Sequence, residues 1–307
     1  MTIYSGIHSL IGETPLFEIT RIPLPNNVKV YAKLEAFNPG GSVKDRLGQE
    51  LIRDAINQGK ITPKGTVIEP TAGNTGIGLA LAAVGTELKV ICVVPEKFSQ
   101  EKQQLMRALG ATIVNTSTKE GMAGAIAKTN ELLKITPNSF SPAQFANAAN
   151  PQTYYKTLGP ELMADLKGNI DVFVAGAGTG GTFMGTANYL KEQDASIKTV
   201  IVEPEGSVLN GGESGPHRTE GIGMEFLPDF MDRSFFDDIH TITDREAFHM
   251  VRQLAQKEGL LVGSSSGAAF AGILREAEKA KEGATLVTVF PDSSERYLST
   301  DIYMEVR

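Results

Sequence analysis

The order of apolar and polar residues along the chain predicts alternating strands and helices. Val28–Leu34 show the two-residue period of a strand, whereas apolar residues in Asp45–Gln58 recur every three or four positions, as on one face of a helix. Further strands are predicted at Thr66–Glu69, Lys89–Val94, Ala111–Val114, Asp171–Ala175, Thr199–Glu203 and Thr285–Phe290. Further helices are predicted at Asn74–Val84, Glu101–Leu109, Asp244–Glu258 and Ser265–Lys281, and from Gly181 onward.

Strands and helices that alternate at this spacing form βαβ units, so we expect an α/β fold with mostly parallel, twisted sheets flanked by helices. The polar, turn-rich segment Ser141–Pro151 separates two halves of similar length. It predicts a lobe of residues 1–145 and a second lobe of residues 146–307, each built on its own open sheet. The Gly-rich stretch Ser207–Asp232 has few predicted elements, and a long loop of this kind in a compact domain is usually functional.

Composition limits the classes of function that the chain can have. Of its 307 residues, 41% are hydrophobic and 21% are charged, which is typical of a folded soluble protein. Lysine and arginine total 29 against 36 aspartate and glutamate, so the formal net charge of −7 argues against a nucleic acid or an anionic membrane as partner. A single cysteine, Cys92, excludes an internal disulfide or a zinc ribbon, and no long apolar run is present. We therefore expect a cytoplasmic protein without nucleic-acid or membrane partners.

The glycine-rich segment VFVAGAGTGGT at residues 172–182 has the pattern of an anion-binding loop, in which a strand ends in glycines that open a helix. One hypothesis is a dinucleotide fingerprint, because Gly176, Gly178 and Gly181 have the required spacing. Glu203 then ends the next strand, where an acid would bind a ribose. The second hypothesis is a cup for the phosphate of a smaller cofactor, to which the threonines would add hydroxyls. The third is a tight turn without a ligand.

Three other loops precede or open predicted helices. In NPGGSVKDR, Lys44 stands at a helix start, where the helix dipole disfavours a cation. It is either a solvated surface lysine or a Schiff-base lysine whose pKa is lowered by its site. The loop EPTAGNTG of residues 69–76 offers N–H and hydroxyl donors to a carboxylate, or forms a simple helix cap. GSSSG at residues 263–267 is locally best explained as an ordinary serine N-cap.

Taken together, the motifs resemble those of one family. The segments GGSVKDR, PTAGNTGIGLA, QFANAANP, GAGTGGT, EGIG, GSSSG and PDSSERYLST occur in the order and spacing of the pyridoxal-phosphate enzymes of fold type II. The resemblance is to the cysteine synthase and cystathionine β-synthase group, and it extends from IGETPL near residue 11 to the end of the chain. It implies a tryptophan synthase β-like fold with pyridoxal 5′-phosphate as cofactor, and it leaves the dinucleotide hypothesis as a distant alternative.

The resemblance also implies a role for each matched residue. Lys44 would hold the cofactor as a Schiff base and move the α-proton, Asn74 would hydrogen-bond the ring oxygen, and Ser265 would contact the pyridine nitrogen. The cofactor phosphate would be bound by Gly178, Thr179, Gly180, Gly181 and Thr182. The substrate would be bound by Thr71, Ala72, Gly73, Thr75, Gln144, Glu220 and Gly221. A serine beside the pyridine leaves its nitrogen largely unprotonated, which favours loss of a β-leaving group.

Three positions distinguish this chain within the group. Ala72 stands where serine is common, which removes one donor to the substrate carboxylate, and Tyr154 stands where histidine is frequent. Glu220 precedes GIG, as in cystathionine β-synthases, whereas typical cysteine synthases have glutamine there. A carboxylate at this position suits the ammonium group of homocysteine. Alternatively, Glu220 is a solvated acid of the loop.

The predicted function is therefore β-replacement on O-acetylserine or serine with a sulfur nucleophile, which gives cystathionine from homocysteine, cysteine from sulfide, or both. A plain cysteine synthase that uses only sulfide is the alternative, and an NAD-dependent oxidoreductase is the distant one. An inactive homologue that serves as a binding partner is disfavoured, because Lys44 and Asn74 are both present. The family implies a homodimer, and the four histidines show no metal-ligand spacing.

Overall fold

The structure is a computed structural model that describes residues 3–71 and 73–304. Its strands are β1 Leu16–Ile19, β2 Lys29–Leu34, β3 Thr66–Pro70, β4 Lys89–Pro95, β5 Thr112–Thr116, β6 Ser139–Phe140, β7 Val172–Gly176, β8 Lys198–Pro204, β9 Asp238–Ile242 and β10 Thr285–Phe290. Its α-helices are α1 Lys44–Asn57, α2 Asn74–Ala83, α3 Gln100–Ala108, α4 Gly121–Ile135, α5 Ala149–Lys156, α6 Leu158–Asp165, α7 Gly181–Gln193, α8 Asp244–Gln253 and α9 Ser264–Lys279. A π-helical turn, Leu254–Glu258, continues α8.

The chain forms two compact units, each with its own sheet. The first unit consists of Met1–Ile11 and Asn38–Asn150, and the second of Gly12–Phe37 and Pro151–Arg307. Both sheets are mostly parallel and carry helices, which confirms the predicted α/β class. Within the part of the chain that the structure describes, no helix is long and apolar enough to cross a bilayer.

The first unit is built on a four-stranded sheet of order β5-β4-β3-β6 in which all pairs are parallel. Ile68 and Val93 from its central strands pack with Ala125 of α4 in a fully buried cluster. The helices α1 and α2 lie very close together, because a Cβ at Gly48 or Gly78 would lie within 2.3 Å of a backbone atom of the other helix. This close approach places the N-terminal end of α1 against α2.

The second unit is built on a six-stranded sheet of order β1-β2-β10-β7-β8-β9, in which only the β1–β2 pair is antiparallel. Its core includes Val174, Val202 and Phe270. The carboxyl ends of parallel strands lie at one edge of a sheet, where loops that bind ligands are usually found. The glycine-rich loop after β7 starts at this edge.

The division into units differs from a single cut at residue 145. Residues 12–37 belong to the second unit because β2 pairs with β10, with Lys29 opposite Thr285. Because β2 and β10 are far apart in the sequence, their pairing leaves no signal in the local pattern of apolar residues. The later crossing of the chain between the units, from Asn150 to Pro151, lies within the turn-rich segment Ser141–Pro151.

Each predicted strand and helix has a counterpart whose bounds differ by two residues or fewer, with the π-helical turn completing the last part of the helix predicted at Asp244–Glu258. The region between β8 and the 3₁₀ helix Arg233–Phe235 contains no strand or helix, as predicted. Six elements were not predicted: β1, β6, β9, α4, α5 and α6. The missed strands are short, with two to five residues each, so their alternation is hard to recognise in isolation.

Candidate active site

Lys44 is the first residue of α1 and keeps part of its surface accessible. The turn before it is closed by the buried carboxylate of Asp45, which accepts a hydrogen bond from Gly40 N at 2.5 Å. Burial lowers the pKa of Lys44 from 10.5 to about 8. A solvated surface lysine would keep its ordinary pKa. The surroundings therefore favour the Schiff-base hypothesis, which needs a neutral amine near neutral pH.

The loop at residues 71–75 leads from β3 into α2, which begins at Asn74. The N-cap of α2 is Gly73, and no side-chain oxygen caps the first turn, so the simple side-chain cap considered above does not form. A Cβ at Gly73 would have no neighbour within 4 Å, while Thr71 and Thr75 are buried. The start of a helix and two hydroxyl groups beside open space can together bind the carboxylate of a ligand. Ala72, assigned to the same loop, lies outside the described residues.

Gln144 lies against this loop in the first unit. Thr75 Oγ1 donates a hydrogen bond to Gln144 Oε1 at 2.7 Å, and both side chains are buried. Asn150 Nδ2 donates to the carbonyl oxygen of Gln144 at 2.7 Å, which holds the backbone of the same residue. The structure thus brings together Thr75 and Gln144, two residues predicted to bind the substrate carboxylate that are 69 positions apart.

Glu69 is a candidate that sequence analysis missed. Its buried carboxylate accepts hydrogen bonds from Ser141 Oγ, Ala143 N and Gln144 N at 2.9, 3.1 and 3.2 Å. Burial raises the pKa of Glu69, and the three hydrogen bonds act in the opposite direction. The signal in the sequence that could have identified Glu69 is a carboxylate at the penultimate position of a buried strand, directly before the motif PTAGNTG. Such a position needs an internal partner.

The loop after β7 belongs to the second unit and forms a cradle of backbone atoms. α7 begins at Gly181, its N-cap Gly180 has φ +87°, and no side chain caps the first turn. A Cβ at Gly178 would lie 2.2 Å from the carbonyl oxygen of Gly221, so only glycine fits there. The N-terminal end of a helix dipole attracts anions. Thr179, in the middle of this loop, is buried.

The segment Glu220–Gly223 connects two other predicted motifs of the second unit. Gly223 N donates to Ala177 O at 2.9 Å, next to the phosphate loop. Glu220 N donates to Ser264 Oγ at 3.0 Å, at the start of α9. The structure therefore brings the EGIG, GAGTGGT and GSSSG motifs together, although they are separated by tens of residues in the sequence.

Ser265 is the second residue of α9, whose N-cap is Gly263, so the serine N-cap expected locally does not form. The Ser265 side chain is buried, with 4% of its surface exposed. A Cβ at Gly221 would lie 4.0 Å from this hydroxyl oxygen. A serine hydroxyl at this place can donate a hydrogen bond to a ligand atom or accept one from it.

Glu203 tests the dinucleotide hypothesis. It is 1% exposed, and its carboxylate accepts hydrogen bonds from Leu209 N, Asn210 N and Thr241 Oγ1 at 2.9, 3.0 and 3.1 Å. An acid that binds a ribose must face the cofactor, whereas this carboxylate is engaged within the fold. The Glu203 carboxylate is therefore not available to bind a ribose, and the phosphate-cup hypothesis is favoured over the dinucleotide hypothesis.

Cys92 and Tyr154 are both buried. Cys92 lies in β4 with no exposed surface, and burial, assisted by the charge of Glu69, raises the pKa of its thiol to about 12. Such a thiol is not ionised at neutral pH, so we interpret Cys92 as a packing residue. Tyr154 lies in α5 without exposed surface, where it is part of the core of the second unit.

One cluster in the described residues has the donor set of a metal site. Asp238, His240 and Glu276 bring their ligand atoms within 4.8 Å of one another. Lys198 Nζ lies 2.6 Å from Glu276 Oε2, and Lys279 Nζ lies 2.9 Å from Asp238 Oδ2. The two ammonium groups neutralise the two carboxylates, so we interpret the cluster as an ion-pair network rather than as a metal centre.

Comparison with known families agrees with this geometry. The profile of a family described as pyridoxal-phosphate dependent enzymes matches residues 7–292. The chain belongs to this family. The predicted resemblance, the enzyme class and the cofactor are thereby confirmed. The individual site residues remain predictions.

Relatives with the same length share most of the sequence. The chain is 60% identical to the O-acetylserine dependent cystathionine beta-synthase of Bacillus subtilis (strain 168), covering 99% of both chains. It is 56% identical to a cysteine synthase of Helicobacter pylori (strain ATCC 700392 / 26695), covering 99% of this chain and 100% of the other. A crystal structure of O-acetylserine dependent cystathionine beta-synthase from Helicobacter pylori has a TM-score of 0.95 at 56% identity, covering 99% and 100% of the two chains.

The residues present fit pyridoxal phosphate. The backbone cradle at Gly178 leaves no room for a Cβ, and it lies at a helix N-terminus that suits a phosphate. Ser265 offers a buried hydroxyl, which suits a ring nitrogen. Lys44 offers an amine with a lowered pKa, which suits an aldehyde.

Proposed function

We propose that the protein catalyses β-replacement on O-acetylserine or serine, with homocysteine or sulfide as the sulfur nucleophile, to form cystathionine or cysteine. The names of the relatives, which include both activities, support this substrate class. The observation that carries the proposal is the buried hydroxyl of Ser265, which offers the cofactor ring a neutral partner. A neutral partner limits electron withdrawal and so favours departure of a β-substituent over other reactions at the α-carbon.

Two groups of residues would hold the cofactor. Lys44 and Asn74 would hold its aldehyde carbon and its ring oxygen. The loop at residues 178–182, in the second unit, binds the phosphate with backbone N–H groups and threonine hydroxyls, and Ser265 meets the ring nitrogen. When bound, pyridoxal phosphate withdraws electrons from the α-carbon of an amino acid joined to it, so that a group on the β-carbon can leave.

The remaining chemistry belongs to side chains of the protein. The Lys44 amine, whose pKa is lowered to about 8, accepts the α-proton of the substrate and returns it to the product. Thr71, Thr75 and Gln144 bind the α-carboxylate and thereby orient the α-carbon. The lowered pKa matters because proton transfer is most effective when the pKa of the base lies near the working pH.

Glu220 supports homocysteine as one nucleophile. Ser264 Oγ accepts a hydrogen bond from the Glu220 backbone, which ties this residue to the start of α9 next to Ser265. A carboxylate held there can pair with the ammonium group of homocysteine. The alternative is a plain cysteine synthase that uses sulfide only. It is supported by the name of the 56% identical Helicobacter pylori relative, which is called a cysteine synthase.

We also propose a homodimer that works in the cytoplasm. The family expectation supports the dimer, and each unit has exposed large apolar side chains, such as Ile135 (69%) in the first unit and Phe226 (57%) in the second. The single buried cysteine suits a reducing compartment. Light scattering coupled to size exclusion at micromolar protein measures the mass, and a monomeric mass would contradict the dimer.

The test of the function is product analysis by mass spectrometry. The purified, cofactor-loaded protein is incubated with O-acetylserine or serine, and with sulfide or homocysteine. We expect cystathionine and cysteine from O-acetylserine. Formation of cysteine alone would establish the plain cysteine synthase, and no release of acetate or water in any combination would contradict β-replacement.

A further inference from the structure

The carboxylate of Glu69 is a buried charged group that the proposed mechanism does not use. It lies at the penultimate position of β3 and is 1% exposed. Oε2 accepts the hydrogen bonds from Ser141 Oγ and Ala143 N, and Oε1 accepts the one from Gln144 N. All three donors belong to one short stretch of chain, more than 70 residues from Glu69 in the sequence.

The two segments that Glu69 connects are the two halves of the proposed carboxylate site. The backbone of β3 continues from Glu69 through Pro70 into the loop at residues 71–75, which carries one half. The side chain of Glu69 holds the stretch that ends at Gln144, which carries the other half. One residue therefore determines how far apart the two halves lie.

A side-chain contact between the halves shows why their spacing matters. Thr75 Oγ1 donates to Gln144 Oε1 at 2.7 Å. Because the amide oxygen of Gln144 is used in this way, the amide nitrogen is the end that remains for a ligand. The donor–acceptor distance of such a hydrogen bond can lengthen by only a few tenths of an ångström, so a larger shift of the Gln144 backbone would break it.

We propose that Glu69 is a positioning residue for the α-carboxylate of the amino-acid substrate. It touches no substrate; it holds Gln144 in register with Thr71 and Thr75 by accepting hydrogen bonds from three donors. The inference rests on the proposed function, because it assumes that these residues bind a carboxylate.

The substitution Glu69→Gln separates this role from simple packing. Glutamine has the same shape, so it leaves no cavity, but one end of its amide is a donor. If the amide nitrogen takes the place of Oε2, it faces Ala143 N, and if it takes the place of Oε1, it faces Gln144 N. At least one backbone N–H loses its acceptor in either orientation, and the stretch before Gln144 must move.

Glu203 provides a matched control. It precedes the proline at the end of β8, just as Glu69 precedes the proline at the end of β3, and both are 1% exposed. Its carboxylate also accepts hydrogen bonds from two backbone N–H groups and one hydroxyl. None of these donors belongs to the predicted site residues, so Glu203→Gln has a similar structural cost without the positioning role.

The experiment compares both variants with the wild type as cofactor-loaded proteins. For Glu69→Gln we expect the KM for O-acetylserine to rise by about tenfold, with kcat and the KM for sulfide changed by less than about twofold. For Glu203→Gln we expect a similar loss in unfolding temperature with an unchanged KM for O-acetylserine. Ser141→Ala, which removes a single donor, should produce the same pattern at roughly threefold and replaces Glu69→Gln if that variant does not fold.

Hydrogen exchange gives a second readout that needs no turnover. In Glu69→Gln, the amides of Ala143 and Gln144 should exchange at least about tenfold faster than in the wild type, because their acceptor is disturbed. An unchanged KM for O-acetylserine in Glu69→Gln, or an equal rise in Glu203→Gln, would overturn the proposal. If the wild type turns over neither O-acetylserine nor serine, the proposed function fails, and unchanged exchange at Ala143 and Gln144 would separately show that Glu69 does not hold the loop.

Discussion

At Lys44, the position in the fold decides the chemistry of a common side chain. The amine lies at the start of α1, where burial disfavours its charged form and lowers its pKa to about 8. Glu69 and Glu203 are also buried, but their carboxylates accept hydrogen bonds from three donors each within the fold.

We predict that Lys44→Ala lowers turnover by at least about three orders of magnitude, because it removes both the covalent link to the cofactor and the proton carrier. The variant should remain folded, since a smaller side chain at a helix start is well tolerated. Lys64→Ala is the control, as Lys64 lies in the same unit and is 72% exposed. Turnover of Lys44→Ala within tenfold of the wild type would contradict the assignment.

The pH dependence of Lys44 should be visible in the cofactor-free protein. Only the neutral amine attacks an aldehyde, so the rate of pyridoxal-phosphate capture should rise with pH with a midpoint of about 8. Because the pKa is lower in the folded state than its usual 10.5, stability should also rise between pH 8 and 10.5, and Lys44→Ala should lose this rise. Stopped-flow absorbance and chemical denaturation measure the two effects. A capture midpoint near 10.5 would refute the lowered pKa.

We predict that the Glu220 carboxylate contributes to the reaction with homocysteine and not to the reaction with sulfide. An ion pair at ~4 Å contributes about 1 kcal/mol in water and about 4 kcal/mol at an effective dielectric constant of 20. Glu220→Gln should therefore raise the apparent KM for homocysteine by about tenfold, while sulfide, which has no amine, should be unaffected. Steady-state kinetics with each nucleophile decide the matter. An equal loss in both reactions would mean that Glu220 supports the loop structure.

At the level of elements, the predicted ligand loops coincide with helices that lack a side-chain cap. The N-caps of α2, α7 and α9 are Gly73, Gly180 and Gly263, none of which offers a capping oxygen. By contrast, α3 and α8 are capped by Ser99 and Thr243. A side-chain cap is worth about 1 kcal/mol. We interpret the glycine caps of α2 and α7 as positions where the substrate carboxylate and the cofactor phosphate take the place of capping side chains.

The phosphate loop should be intolerant of a single methyl group. Gly178→Ala would place a Cβ 2.2 Å from the backbone oxygen of Gly221, which cannot be relieved by a side-chain rotation. We expect retention of pyridoxal phosphate after dialysis to fall at least about tenfold, as overpacking costs about 1–3 kcal/mol. Gly215→Ala is the control, because its Cβ would meet only the Gly206 Cα at 3.7 Å. Wild-type occupancy in Gly178→Ala would argue against the cradle.

At the scale of the whole molecule, each unit has its own sheet and core, and ion pairs tie distant elements of the second unit together. Glu276 in α9 pairs with Lys198 in β8 and His240 in β9, and Lys279 joins Glu276 to Asp238. Burial opposes the ionisation of Glu276, but the hydrogen bonds from His240 and the lysines outweigh it and lower the pKa to about 2. The network therefore links global stability to pH.

We predict that this network is lost on acidification. Because the pKa of Glu276 is lower when folded than its usual 4.5, its contribution to stability is complete above pH 4.5 and declines as the pH falls towards 2. The loss should be of order 2 kcal/mol. Urea denaturation at pH 7 and pH 3 should show a smaller difference for Glu276→Gln than for the wild type. Glu131→Gln, at an exposed pair with Lys128, should behave like the wild type, and an unchanged difference in Glu276→Gln would contradict the prediction.

The sequence by itself determined the α/β class, most of the element bounds, and the family with its cofactor. These properties depend on local patterns: the periods of two and 3.6 residues, and motifs such as EPTAGNTG and GAGTGGT whose glycines and polar residues act within a few positions. The roles of Lys44, Asn74 and Ser265 were predicted from the resemblance of these motifs to the family, and they remain predictions.

Only the tertiary structure decided how these pieces are combined. The pairing of β2 with β10 places residues 12–37 in the second unit, and the carboxylates of Glu69 and Glu203 bind stretches of chain that local patterns do not connect with them. The same holds for the contact of Gly221 with the phosphate loop. These contacts arise from burial and hydrogen bonding between segments far apart in the chain, so their energies depend on the folded neighbourhood rather than on the order of nearby residues.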